Sequence, residues 1–211
     1  MEIRKHEHAF LELSQNGQTL LVDPGLYSEV LPELKEVVGV VYTHLHDDHS
    51  FLPHARQIAD LFPNAQLFGT AEVRAKFEGL AVTAVHHGDH HEVGNFQLDF
   101  FGDLHQEIHR SIPLVQNVGV LVNSTLYYPG DSYTVCDYPV EVLACPSSAP
   151  WLKVGDLIDF LEIQKPKRAF PTHNALLSEA GHALQNNRIR EFVEKHGGEF
   201  EYLTPGQSTK A

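Results

Sequence analysis

The chain has 211 residues, 42% of them apolar, and a formal net charge of −13 at pH 7. That charge opposes long-range attraction to a phosphate backbone, which disfavours nucleic acid as a partner, and no apolar run approaches the roughly 20 residues needed to cross a bilayer. The length suits one α/β unit over residues 1–211. Its two cysteines lie outside any CxxC pattern, and its N-terminus, MEIRKHEHAF, lacks a signal-type apolar segment, so a reducing cytoplasmic setting is expected, with Cys136 and Cys145 as core thiols.

In chain order, Phe10 to Leu13 and Thr19 to Val22 read as a hairpin around Asn16-Gly17, closed by Asp23-Pro24-Gly25. The β-branched run Val37 to Tyr42 has the pattern of a strand buried on both faces. Pro53 suits the first turn of a helix that runs to about Phe62, where Pro63-Asn64 stops it. A strand at Ala65 to Phe68, a short helix at Ala71 to Phe77, and strands near Ala81 to Val85 and Phe96 to Phe101 follow, with a loop around Gly88-Asp89. Val118 to Val122 and Thr125 to Tyr128 form a second hairpin around Asn123-Ser124, and Val140 to Ala144 is a further strand. Val154, Leu157, Ile158 and Leu161 mark one helical face that ends before Pro166. Arg168 to Phe170 is a short strand, Ile189, Phe192 and Val193 line a last helix ending at Gly197-Gly198, and Phe200 to Leu203 can close a sheet.

The strand Val37 to Tyr42 points into HLHDDH, three histidines and two aspartates within residues 44–49. Alternate residues of an extended segment face one way, so His44 and His46 can address one cation while Asp48 and His49 face a second beside it. Imidazole nitrogen and carboxylate oxygen suit zinc, with manganese, iron or nickel as alternatives. Asp131 in YYPGDS and His173 in FPTH each stand just past a strand's C-terminal end, where α/β folds place their sites.

Read together, LLVDPG, HLHDDH, YYPGDS and FPTH resemble, in order, the HxHxDH signature and accompanying motifs of the metallo-β-lactamase superfamily, over essentially the whole chain. Within it the chain is similar to the compact bacterial metal-dependent hydrolases related to the phosphorylated-ascorbate lactonases. The resemblance implies an α/β fold, an αββα sandwich of two mixed sheets flanked by helices, with two divalent metal ions at one sheet edge. It implies that His44, His46 and a middle histidine hold the first metal, that Asp48, His49 and His173 hold the second, and that Asp131 bridges them. Asp23 is expected to orient a ligand histidine. The family's usual Gly-His followed by a small residue and Pro-Gly is replaced here by GDLHQEIHRSIP. His105 is therefore assigned to the metal and His109 to the pocket mouth, as a substrate contact or proton donor, with the reverse as the alternative. Arg110 is a candidate substrate contact, and Trp151 either lines the pocket or packs in the core. His8 lines the pocket or packs. His86, His87, His90 and His91 read as a solvated turn, and His6, His54, His182 and His196 as surface or satisfied residues.

The function implied is hydrolysis of an ester, lactone or phosphodiester-type bond of a small molecule by a hydroxide held between two metals, with Asp48, Asp131 and His109 as catalytic groups. A metal-sensing protein on the same fold, or a nuclease or phosphodiesterase, are the competing readings. Loops near Leu26 to Leu31, Gly102 to Pro113 and Pro146 to Leu152 are expected to shape specificity.

Overall fold

Successive side chains of a strand face opposite sides, so a strand apolar at every position must be covered twice. The computed structural model describes residues 1–28 and 30–211. In it the chain first lays down β1 (Glu2–Lys5), β2 (Leu11–Gln15), β3 (Gln18–Val22), β4 (Val37–Tyr42), α1 (Leu52–Leu61), β5 (Gln66–Gly69), α2 (Ala71–Lys76) and β6 (Val82–Ala84). It then crosses to a second sheet with β7 (His90–Val93), β8 (Phe96–Phe101), β9 (Gly119–Val122), β10 (Leu126–Tyr128), β11 (Val142–Pro146), α3 (Val154–Gln164), β12 (Arg168–Thr172), α4 (Glu179–Lys195) and β13 (Glu199–Phe200), and β14 (Ser208–Lys210) returns to the first. The strand orders are β14-β1-β2-β3-β4-β5-β6 and β13-β12-β11-β10-β9-β8-β7. Each sheet is mixed: β3 to β6 and β10 to β13 pair in parallel, and the remaining pairs are antiparallel.

The pleat sorts the side chains into layers. Leu20 and Val22 of β3, Val41 of β4, Val120 and Val122 of β9 and Leu126 and Tyr128 of β10 fill the core between the sheets. Their neighbours Leu21, Val40 and Tyr42 pack with Ile58 and Val73 beneath α1 and α2. On the far side, Leu121 and Tyr127 pack with Leu157, Phe160, Ile189 and Val193 of α3 and α4. Two mixed sheets flanked by four helices result, the αββα sandwich expected from the resemblance. Among the described residues no helix is long and apolar enough to cross a membrane.

Local chemistry sets the connections. Asn16-Gly17 and Asn123-Ser124 both adopt positive φ, as the tight turns of two-residue hairpins require. Pro53 sits in the first turn of α1, Thr70 and Ser178 cap α2 and α4 with their hydroxyls, and α3 ends on left-handed Lys165 before Pro166. Three strands depart from the sequence reading. β14 forms one edge of the first sheet and pairs with β1, and β7 occupies residues 90–93, where a loop is expected. The C-terminal expectation at Phe200 to Leu203 resolves into β13, at Glu199–Phe200, with β14 beyond it.

Candidate metal centre

The ligand-type side chains leave from the C-terminal ends of strands in both sheets. Asp23 follows β3, His44 to His49 follow β4, Asp131 follows β10 and His173 follows β12. The sheets are stitched together here: Val118 N–H donates to the Thr43 carbonyl at 3.0 Å, and His44 bridges to Asn117. Buried Asn117 accepts the Asp131 N–H at 3.0 Å and donates to the Pro129 carbonyl at 2.9 Å. Gly130 permits this closeness, because its φ is 65° and a Cβ there would lie 2.4 Å from Asn117 Oδ1.

The outer partners of the histidines fix which ring nitrogen faces inward. Asp23 accepts from Thr43 N–H at 2.7 Å and Thr43 Oγ1–H at 2.6 Å, and meets His49 Nδ1 at 2.7 Å. His105 Nδ1 meets the Gln106 carbonyl at 2.5 Å, and His173 Nδ1 meets the Ser148 carbonyl. A carboxylate or carbonyl can only accept, so Nδ1 carries a hydrogen in all three, and Nε2 is the nitrogen that faces inward with a free lone pair whenever the ring is neutral. His44 behaves alike: Thr43 spends its hydroxyl hydrogen on Asp23, so its oxygen accepts from His44 Nδ1, 3.1 Å away.

These inward atoms converge on one another. His49 Nε2, His105 Nε2, His173 Nε2 and Asp131 Oδ1 are buried without a well-directed hydrogen bond, although they lie within ion-pair distance of one another, a crowding of polar atoms that a cation among them would satisfy. Asp131 Oδ1 is 3.2 Å from His49 Nε2, and Asp131 Oδ2 is 3.2 Å from His173 Nε2 and 3.4 Å from His105 Nε2. Asp48 Oδ2 is 3.3 Å from His173 Nε2, and His44 Nε2 is 3.1 Å from His46 Nδ1. Donors bonded tetrahedrally at about 2.0–2.1 Å stand roughly 3.3 Å apart, so the donor set fits divalent metal. Among the described residues, the groups of three or more potential donors close enough to share an ion are His44/His46/His105, His8/Asp48/His49/His173 and His44/His49/Asp131, all in this cluster.

Charge follows the same division. Burial, helped by neighbouring His49, holds His44 well below its ordinary pKa, and burial with His105 lowers that of His46. Burial opposes charge on His49 and His173 too, but Asp131 and the other carboxylates outweigh it, raising His49 well above its usual value and His173 to about 9. The same pairs hold Asp48 and Asp131 ionised well below the carboxylate range despite their burial.

Of the two candidate middle histidines, the structure brings His105, 5% exposed, to His44 and His46. His109 is exposed, with Nδ1 2.7 Å from Ser111 Oγ, and Arg110 beside it is exposed. Trp151 is buried, and its indole N–H donates to Asp131 Oδ2 at 2.7 Å. His8 is buried against Asp48 and His173. Thr43, Asn117 and Lys76 escape a sequence reading, although Lys76 donates to the Leu45 and Ser50 carbonyls and pairs with Asp47 at 2.7 Å, pinning the HLHDDH loop from below. His86, His87, His90 and His91 belong to none of the donor groups. Of the loop near Leu26 to Leu31, residue 29 lies outside the described residues.

The family model described as Beta-lactamase superfamily domain matches residues 2–173, from β1 through His173. The chain belongs to the metallo-β-lactamase superfamily. The chain is similar to Protein Rv0786c of Mycobacterium tuberculosis, 31% identical over 199 residues, which cover 92% of this chain and 93% of that protein. The superfamily fold also matches Igni18, a metallo hydrolase from the archaeon Ignicoccus hospitalis, with a TM-score of 0.73 at 15% identity over 99% of this chain and 97% of that one. It matches an isothiocyanate hydrolase from Delia radicum gut bacteria with a TM-score of 0.63 at 16% identity over 100% and 99% of the two chains.

Proposed function

We propose that the protein is a hydrolase carrying two divalent cations, zinc as the first choice with manganese, iron or nickel as alternatives, and acting on an ester, lactone or phosphodiester-type bond of a small molecule. The observation that carries this reading is the convergence of four buried donor atoms from both sheets. His44, His46 and His105 hold one cation, Asp48, His49 and His173 the other, and Asp131 is shared. When bound, such a pair supplies an acidified water and positive charge for the oxyanion that develops at the scissile bond.

The chain's own groups prepare the site for that chemistry. Asp23, Gln106 and Ser148 hold the rings of His49, His105 and His173 with Nε2 inward. Trp151 acts on the centre through Asp131: its indole nitrogen can only donate, and that hydrogen is engaged. Asp48 is the most exposed carboxylate of the group, its side chain 26% exposed, and is the candidate acceptor for the proton of the attacking water. His109 and Arg110, exposed on the loop that carries His105, are assigned to leaving-group protonation and substrate contact.

A neutral ester or lactone fits better than a phosphorylated substrate. Lys76 is committed to the Leu45 and Ser50 carbonyls and to Asp47, which leaves Arg110 as the basic group in sequence beside the proposed ligand His105. The test is a panel of esters, lactones, phosphodiesters and, because a structural neighbour bears that name, isothiocyanates. Turnover on the panel should vanish on chelation and return with zinc. Turnover that survives chelation contradicts the reading, and reversible metal uptake without turnover on any member points to sensing.

A further inference from the structure

We propose that His8 is a positioning residue for the second cation, a hydrogen-bond donor to Asp48 and not a ligand; this assignment rests on the two-cation reading above. His8 follows β1 with its side chain buried and its φ at 56°. Its Nε2 lies 3.2 Å from Asp48 Oδ2, its ring centre is 3.9 Å from that of His173, and its carbonyl accepts the His173 N–H at 2.9 Å. On distance alone Nε2 would count as one more metal donor, since it clusters with Asp48, His49 and His173.

The far side of the ring decides otherwise. In His49, His105 and His173, Nδ1 faces an acceptor, which leaves Nε2 with the free lone pair when the ring is neutral. In His8, Nδ1 faces a donor, the Ala175 N–H, at 3.3 Å. Nδ1 must keep its lone pair to accept that bond, so the ring hydrogen sits on Nε2 and points at Asp48. A nitrogen bearing hydrogen cannot bind a metal. His8 thus steers two ligands at once, Asp48 through its side chain and His173 through its main chain, and its left-handed backbone aims both groups.

The test uses the full chain, stripped by chelator and titrated with Co2+, and with Zn2+ against a chromophoric competitor. The wild type takes up two ions. His8→Ala should bind the first as the wild type does and the second about 10- to 100-fold more weakly. His8→Phe, which keeps the ring volume without a donor, should repeat that loss and stands in if the alanine variant misfolds. His8→Gln, whose amide can donate, should recover most of the affinity and give the wild-type cobalt spectrum, because no ligand has changed. Two ions in the wild type with undiminished second-site affinity in His8→Ala and His8→Phe overturn the positioning role alone. A cobalt spectrum altered in His8→Gln, with no recovery of affinity, makes His8 a ligand and overturns the donor assignment. A wild type that takes up fewer than two ions overturns the two-cation reading and this one with it.

Discussion

Eight described residues other than glycine adopt positive φ, and three of them, His8, Asp23 and His173, stand in the candidate metal centre. Each such residue carries about 1–3 kcal/mol of backbone strain, which persists where the surroundings over-determine it. Here they do: Asp23 holds three donors, and the His173 N–H is tied to the His8 carbonyl. The candidate ligands other than His105 were legible in the sequence because each stands in a short motif at a strand end; His105 lacks the family's motif, and only the fold separates it from His109. The supporting roles of Thr43, Asn117 and His8 were not legible, because they rest on contacts between segments far apart in the chain. The ligand charges carry a pH prediction. Without metal, the neighbouring carboxylates raise His173 to about 9 and His49 well above its usual value, which favours the protonated rings, whereas a metal needs their bare Nε2. Metal uptake at pH 7 should release about one to two protons, and affinity should rise with pH until both rings have lost their protons. Calorimetric zinc titrations in buffers of different ionisation heat measure this; uptake with no proton release, at an affinity flat from about pH 6 to 9, would contradict the charge assignment.

At the scale of elements, the site depends on how closely two loops approach. The loop after β3 lies under the HLHDDH loop, where Leu26 N–H donates to the Asp47 carbonyl at 2.8 Å. A Cβ on Gly25 would fall 1.8 Å from the Asp48 carbonyl oxygen and 2.6 Å from His49 N, both backbone atoms. Gly25→Ala should therefore push Asp48 and His49 outward, lowering stability by about 1–3 kcal/mol and weakening the second site at least about tenfold. Gly155→Ala is the control, since its Cβ would meet nothing nearer than 4.0 Å. Thermal melts and zinc competition on both variants check this, and a Gly25→Ala protein matching the control in both would show that the close approach is not required. The central strands were readable because burial on two faces demands apolar runs, as in Val37–Tyr42. The edge strands β7 and β14, and β1 beside β14, were not, since Glu2–Lys5, His90–Val93 and Ser208–Lys210 are mainly polar and hide the alternation that marks a strand.

At the scale of the whole molecule, the sandwich exists to bring two sheets' strand ends to one rim. His44 to His49 belong to the first sheet, and His105, Asp131 and His173 to the second, so neither sheet alone completes a donor set. The net charge of −13 opposes long-range attraction to acidic polymers, and the proposed cations would offset the carboxylates that face the inward donors. Asp131 is central, because its oxygens face His49 on one side and His105 and His173 on the other. The most direct measurement is therefore metal content by elemental analysis of the reconstituted wild type and of Asp131→Ala. About two equivalents in the wild type, falling sharply in the variant, is the predicted result. Little metal in the wild type, or two equivalents undiminished in Asp131→Ala, would contradict a shared two-cation centre.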